Sequence, residues 1–177
     1  MKRFMLVMVM LALVAALPSL GLAGYGHESK VATSPAGNAG FEKLKSLAGT
    51  WDTTAPEGGP ATVTYQVVSN GTAVMETISH SDEPQMITMY TVDGDHLMMT
   101  HYCGIGNQPR MRASVPSGDV KELKFNFVDG ANMKKTDMHM HALDMKFIDD
   151  THVEAIWSLW NKGKRQDDHT FNLTKKS

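Results

Sequence analysis

The sequence predicts an all-β domain: a ten-stranded antiparallel up-and-down barrel with a short helix before its first strand. Ten short apolar segments follow one another after residue 49, at spacings of about 8–14 residues with turn residues between them. No crossover helix interrupts them, so consecutive strands are expected to pair as hairpins. Closure removes the exposed edges of such a sheet, which favours a barrel, and a two-sheet sandwich is the alternative.

The residues before this domain resemble a targeting segment. Residues 1–23 have the layout of a secretory signal peptide, because Lys2 and Arg3 precede an apolar run that is broken at Pro18. The run is shorter than the ~20 residues of a spanning helix, although an uncleaved anchor is the alternative. Residues 24–39 are small, polar and aperiodic, which predicts a flexible leader. We therefore expect a secreted or periplasmic protein whose mature chain has no stable membrane span.

Composition excludes several classes of function. The chain has 177 residues, of which 42% are hydrophobic and 20% charged, as in ordinary globular domains. A formal net charge of -2 without a basic excess argues against a nucleic-acid partner. A single cysteine, Cys103, excludes an intrachain disulfide and a zinc ribbon with several cysteines.

The barrel domain is predicted over residues 40–177 and begins with the helix. Phe41, Leu44 and Leu47 recur at helical spacing and Gly49 stops the pattern, so the helix is expected over residues 40–48. A helix of two turns is not stable alone and must pack on the barrel.

Turn residues separate the strands that follow. Asn70-Gly71 and Asp93-Gly94 are the strongest hairpin signals, because these residue types adopt the positive φ angles of tight turns. The predicted strands cover residues 49–55, 61–69, 72–80, 86–92, 95–103, 110–115, 120–128, 138–148, 151–160 and 165–174.

Side chains alternate between the two faces of a strand, which predicts the interior set. The seventh strand is the clearest, with Leu123, Phe125 and Phe127 on one face and polar residues on the other. In three other strands, histidine or cysteine lies on the same face as the large apolar residues. They are His101 and Cys103 in the fifth strand, His139 and His141 in the eighth, and His169 in the tenth.

The interior histidines are candidates for a shared ligand site. His139 and His141 lie about 7 Å apart along the backbone, so both imidazoles could bind one divalent metal with His101 as a third ligand. Cys103 is a further candidate at the same site. The alternative is that each histidine bonds a neighbouring hydroxyl, carboxylate or water in a polar-lined barrel. The methionines are expected to pack as adaptable apolar residues.

The loop after Cys103 offers a second group of candidates. Two glycines and a proline predict a shaped turn, and Asn107, Gln108 and Arg110 add donors suited to an anionic or carbonyl ligand. Arg110 lies on the opposite face of its strand from the apolar Met111, so it is expected to face solvent unless the pleat of the strand shifts. No Gly-x-Ser-x-Gly, P-loop, dinucleotide fingerprint or His-Glu-x-x-His motif occurs, so no catalytic constellation is predicted.

The segment FEKLKSLAGTW, residues 41–51, resembles the Gly-x-Trp opening of calycin barrels: lipocalins, fatty-acid-binding proteins and nitrobindin-type haem barrels. The resemblance implies that Trp51 closes the barrel base and that Lys175 or Lys176 covers it. Nitrobindin-type barrels hold haem through a histidine near the C-terminus, so the resemblance also implies haem, with His169 in the comparable region. The run HYCGIGNQPRMR with the later HMH is similar to a group of uncharacterised secreted bacterial proteins with such barrels.

These observations predict an exported protein that binds a small, partly apolar molecule in an interior lined by His, Met and Phe. The alternative is a metal- or haem-dependent protein or enzyme that uses the interior histidines.

Overall fold

The computed structural model describes residues 38–81, 83–114 and 118–177, so the predicted signal peptide and most of the predicted leader lie outside it. Ten strands close into an antiparallel barrel in chain order, which confirms the predicted fold class over the two-sheet alternative. The elements are α1 (Ala39–Ser46), β1 (Gly49–Thr54), β2 (Pro60–Val68), β3 (Ala73–His80), β4 (Met86–Asp93), β5 (His96–Tyr102), β6 (Gln108–Ser114), β7 (Glu122–Ala131), β8 (His139–Phe147), β9 (His152–Asn161) and β10 (Lys164–Lys175).

Helix α1 covers one end of the barrel, here called the closed end. Asn38 caps the helix, because its side-chain oxygen accepts a hydrogen bond from Phe41 N at 2.9 Å. A Cβ atom on Gly40 would lie 2.9 Å from Leu97 Cδ1 and 3.2 Å from Leu123 Cδ2. Glycine at this position therefore lets the helix pack directly on Leu97 and Leu123, which a larger residue would have to displace.

Trp51 seals the closed end from inside. Its side chain is buried, and its indole Nε1 donates a hydrogen bond to the carbonyl oxygen of Leu47 at 2.8 Å. The ammonium of Lys175 lies 5.4 Å from the centre of the Trp51 ring, within the range of a cation–π contact. Lys176 bonds Asp52 on the outer surface instead.

The interior above this base is filled with large side chains. Fully buried examples from five strands are Tyr65, Tyr90, Met111, Phe125 and Leu143. The predicted alternation therefore holds for β5 and β7, whose residues Leu97, Met99, Leu123 and Phe125 are all buried.

Pairing between the strands is uneven around the barrel. β1 and β10 share only two residue pairs, Trp51 with Lys175 and Asp52 with Thr174. Each of the other neighbouring strand pairs shares at least five. The barrel therefore closes along a short seam beside the closed end.

None of the helices among the described residues is both long enough and apolar enough to cross a membrane.

Candidate functional site

A cavity of about 360 Å³ lies inside the barrel at the end opposite α1, here called the open end. It is much larger than the ~30 Å³ share of one water molecule and falls in the ~300–1,000 Å³ range of small-molecule sites. Its lining residues are Ala55, Pro56, Glu57, Ala61, Ile78, His80, Glu83, Pro84, Met86, Cys103, Gly104, Ile105, Met140, His169 and Phe171.

The walls of this cavity are apolar and its mouth is acidic. Ile78 and Phe171 are buried wall residues, and Met86 packs beside them against the core. Two carboxylates, Glu57 and Glu83, stand at the exposed mouth. None of the described residues that line the cavity is a lysine or an arginine. Its chemistry therefore suits a molecule that is mostly apolar and carries no negative charge.

His80, Cys103 and His169 are the half-buried polar side chains of the cavity lining. His80 Nδ1 lies 3.5 Å from Glu57 Oε1, and this buried nitrogen has no hydrogen-bond partner among the described residues. Burial raises the pKa of the Cys103 thiol, while hydrogen bonds from the backbone N–H groups of Ile105 and Gly104 act in the opposite direction. The thiol is therefore protonated to a greater extent than an exposed one and behaves as a weakly polar wall.

One layer below the cavity, four polar residues lie side by side on four neighbouring strands. Their Cα atoms pair in sequence across β2, β3, β4 and β5. We call this group the polar ladder: Tyr65, Glu76, Thr88 and His101. All four side chains are buried, with 2% exposure or less.

Glu76 is the centre of the polar ladder. Its Oε1 accepts a hydrogen bond from Tyr65 Oη at 2.6 Å, and its Oε2 accepts one from Tyr90 Oη at 3.1 Å. Burial raises the pKa of the Glu76 carboxyl, and hydrogen bonds from Tyr65, Thr88 and Tyr90 partly offset that rise. Burial and the nearby Glu76 charge raise the pKa values of both tyrosines well above their ordinary value. The carboxyl is thus a buried acceptor with several donors.

His101 ends the polar ladder with one nitrogen unused. Its Nδ1 lies 2.9 Å from Thr88 Oγ1, whereas its buried Nε2 has no hydrogen-bond partner among the described residues. Its ring packs against Trp157, with ring centres 4.5 Å apart. Burial lowers the pKa of His101 to about 4, so the imidazole is neutral at physiological pH.

A bulge in β8 corrects the predicted placement of His139 and His141. Met140 pairs with Leu159 and Ala142 with Ser158, so His141 is an extra residue opposite β9. One inserted residue reverses the alternation of a strand. Met140 lines the cavity as a result, and neither histidine does.

His139 and His141 instead form a cluster with two aromatic rings. The ring of His141 stacks on Trp160 at 3.9 Å and on Phe127 at 5.0 Å between centres. His139 Nε2 lies 2.9 Å from His141 Nδ1, and His139 Nδ1 lies 2.7 Å from Asp137 O. The facing nitrogens of the pair therefore share one hydrogen bond. Burial and the neighbouring His139 lower the pKa of His141.

The structure does not bring the predicted metal ligands together. Thr88 and Trp157 are the neighbours of His101, while the β8 histidines face Phe127 and Trp160. Within the described ranges, no group of three or more His, Cys, Asp or Glu side chains is arranged to hold a metal ion.

Three candidates from the loop after Cys103 are not among the residues that line the cavity. Asn107 is buried, and its Nδ2 donates to Met138 O at 2.8 Å, which ties the loop to the segment before β8. Gln108 donates to Gly106 O at 3.1 Å. Arg110 forms a two-pronged ion pair with Asp129 on the outer wall. These three residues therefore bond to the loop itself or to neighbouring segments.

Sequence reasoning missed two residues of this region. Glu76 and His80 share a parity with the buried Val74 and Ile78, which is the same signal that identified His101. The alternation Val-x-Glu-x-Ile was available as a sign of a glutamate inside the barrel. The hydrogen-bond partners of Glu76 could not be predicted in this way, because they come from other strands.

Comparison with known proteins supports the fold. Neither a protein-family model nor a curated protein matches this chain. The barrel resembles a solved structure. That structure is the crystal structure of Rv2717c from M. tuberculosis, with a TM-score of 0.54 and 15% sequence identity. The similarity covers 77% of this chain and 97% of Rv2717c.

The cavity does not fit the haem that the sequence resemblance implies. His169 does line the cavity, as a haem-binding histidine would. However, the two propionates of haem need cationic or donor partners, and the described residues at the mouth include Glu57 and Glu83 but no lysine or arginine. A volume of about 360 Å³ is also near the lower limit for small-molecule sites, whereas haem is a large ligand. We derive no chemistry through haem.

Proposed function

We propose that this protein is an exported, calycin-type binding protein that holds a small, mostly apolar molecule in the open end of its barrel. The single observation that carries this proposal is the cavity of about 360 Å³ between Ile78, Met86, Met140 and Phe171. Export rests on the signal-peptide layout of residues 1–23.

The shape of the barrel supports a binding role. Among the described residues, the closed end is packed with large side chains and covered by α1, whereas the cavity lies at the opposite end. Apolar walls bury an apolar ligand, which is favourable by about 25 cal/mol per Å² of apolar surface removed from water. Ile105 lines the mouth with 52% of its surface exposed, so a bound molecule would also cover an exposed apolar side chain.

A neutral fluorescent probe tests the proposal. N-phenyl-1-naphthylamine is apolar, small enough for the cavity, and emits strongly only away from water. We expect saturable binding with one probe per chain. Ala61 is buried in β2 and lines the cavity, so Ala61→Phe should fill the site and abolish binding.

Thr62→Phe is the matched control for this variant. It introduces the same ring one residue further along β2, on the opposite face, and should leave probe affinity unchanged. Absence of saturable binding to the wild-type protein, or equal loss in both variants, would contradict the proposed function.

A further inference from the structure

We propose that the molecule held in the cavity carries one positive charge, so that the ligand class is a mostly apolar amine whose ammonium group lies at the mouth beside Glu57 and Glu83. This inference rests on the proposed function and specifies the ligand class of the same cavity. The apolar part of such a molecule fills the space between the inner walls, and its charged end stays near the surface.

Two carboxylates reach the mouth of the cavity from separate loops. Glu57 lies in the turn between β1 and β2, Glu83 lies between β3 and β4, and both line the cavity. Backbone hydrogen bonds hold the first of these turns, since Ala55 N donates to Gly59 O at 3.0 Å and Gly58 N donates to Ala55 O at 2.9 Å. The fold therefore brings together two carboxylates that are distant in sequence, and the turn fixes the backbone that carries one of them.

Neither carboxylate at the mouth is neutralised by a described lysine or arginine. Glu57 has an ion-pair contact with His80, and Glu83 has no ion-pair contact with any residue that the structure describes. Elsewhere on the barrel, by contrast, Asp129 is paired with Arg110. The negative charge at the mouth is therefore available to attract a cationic group of a ligand.

A buried ring nitrogen beside Glu57 also lacks a hydrogen bond. His80 lines the cavity, and its side chain is 12% exposed. Its Nδ1 lies 3.5 Å from Glu57 Oε1 but has no hydrogen-bond partner within the described ranges. The great majority of buried polar atoms in native proteins have a partner. A polar group of a bound molecule at this point can contact the ring nitrogen and the carboxylate together.

The walls of the cavity suit a cation better than an anion. Phe171 is aromatic, and the face of an aromatic ring attracts positive charge. Met86 and Met140 contribute thioether sulfurs, which are weak acceptors and have no hydrogen to donate. An anion would meet the two carboxylates of the mouth and, in the described lining, no lysine or arginine. The charges therefore select against anionic ligands and in favour of cationic ones.

The position of the carboxylates explains how one ligand combines a charge with an apolar body. The Glu57 side chain is 51% exposed, so an ammonium group beside it keeps part of its hydration and avoids the cost of full burial. An ion pair at such a position is screened by water and contributes only moderately to affinity. The apolar walls supply the remaining affinity, and the carboxylates supply the selectivity for charge.

Three compounds with the same ring system and different charge test the inference. 2-Naphthylmethylamine is a cation at neutral pH, 2-naphthalenemethanol is neutral, and 2-naphthoate is an anion. Dissociation constants are measured by calorimetry at low ionic strength for the wild type and for the double variant Glu57→Gln/Glu83→Gln. The affinity ratio of amine to alcohol should fall about tenfold in the double variant. The affinity for 2-naphthoate should change in the opposite direction, and added salt should lower the ratio of the wild type.

Glu42→Gln is the matched control. Glu42 lies in α1 at the closed end, and its side chain is 55% exposed, close to the 51% of Glu57. The substitution removes one negative charge from the protein without touching the cavity, and should leave the ratio of amine to alcohol unchanged. The neutral alcohol checks the fold of every variant, because it should bind the double variant as tightly as the wild type.

The outcomes separate this inference from the proposed function. If neither the amine nor the alcohol binds the wild type, the proposed function fails. If they bind and the double variant leaves their ratio unchanged, or lowers it no more than Glu42→Gln does, only the present inference fails. Ala61→Phe should also abolish binding of the amine, and binding that survives this substitution would place the amine outside the cavity and overturn the inference.

Discussion

The indole N–H of Trp51 donates to the carbonyl oxygen of Leu47, so the first strand is tied to the last turn of the helix that covers it. The carbonyl groups at a helix C-terminus lack partners within the helix, and this bond satisfies one of them. Trp51 therefore contributes to stability both through its buried ring and through one specific hydrogen bond.

Two substitutions separate these contributions. Trp51→Phe keeps most of the buried ring and removes the bond, and should lower the free energy of unfolding by about 1–2 kcal/mol. Trp51→Ala also leaves a void and should lower it by about 3–5 kcal/mol. Urea titration followed by circular dichroism measures both. Equal losses for the two variants would show that the bond, not the ring, dominates.

Glu76 is expected to be necessary for stability because two buried hydroxyl groups, those of Tyr65 and Tyr90, donate to it. Glu76→Leu leaves Tyr65 and Tyr90 without an acceptor, and each unpaired buried group costs about 1–3 kcal/mol. We expect a loss of about 3 kcal/mol or more in the free energy of unfolding, and a smaller loss for Glu76→Gln, which retains an amide oxygen. Glu154→Leu, which breaks a partly exposed surface pair with Lys146, should cost less than about 1 kcal/mol. A loss no larger than that of the control would contradict the assigned role.

His101 should make the protein less stable in acid. Its pKa is 6.5 in the unfolded chain and about 4 in the folded protein. Between these values the unfolded chain binds a proton that the folded protein does not, so stability falls as pH decreases from 6.5 to 4. The loss amounts to roughly 3 kcal/mol over the window.

The difference between the wild type and His101→Gln isolates this effect, because the other titrating groups are common to both proteins. Urea titrations at several pH values should show that the stability of the wild type relative to the variant decreases on acidification. A difference in stability that stays constant with pH would mean that the pKa of His101 does not change on unfolding.

Cys103 provides a chemical probe of the cavity. Burial raises the pKa of its thiol, so less thiolate is present at pH 8 and iodoacetamide should react more slowly with the folded than with the urea-unfolded protein. Saturation with N-phenyl-1-naphthylamine should slow the reaction further, because the probe covers the lining on which Cys103 lies. Mass spectrometry measures the rates, and glutathione treated in parallel controls for a direct effect of the probe. An unchanged rate would place the probe elsewhere.

The fold was predictable because its signals are local. Asn70-Gly71 and Asp93-Gly94 mark hairpins by the backbone conformations that these residues allow, and alternation such as that of Leu123 and Phe125 marks the buried face. When each strand pairs with the next one along the chain as a hairpin, few topologies remain possible.

The candidate site was only partly predictable, for two physical reasons. The bulge at His141 depends on the pairing of β8 with β9, and no residue pattern within β8 predicts it. The polar ladder depends on the register between strands, which brings Glu76 opposite Thr88 and Thr88 opposite His101. Alternation along β5 was enough to place His101 inside, but its partners came from other parts of the chain.

The short seam between β1 and β10 indicates where the wall of the barrel is weakest. Beyond Asp52 and Thr174 the two strands are no longer paired, and a groove lined by Thr53, Thr54, Thr170 and Asn172 runs between them. Ala55 and Phe171, at the same place, belong to the lining of the cavity. Local opening requires the least free energy where the fewest backbone bonds must break. We therefore expect the wall of the barrel to open most readily between the first and last strands, beside the lining of the cavity.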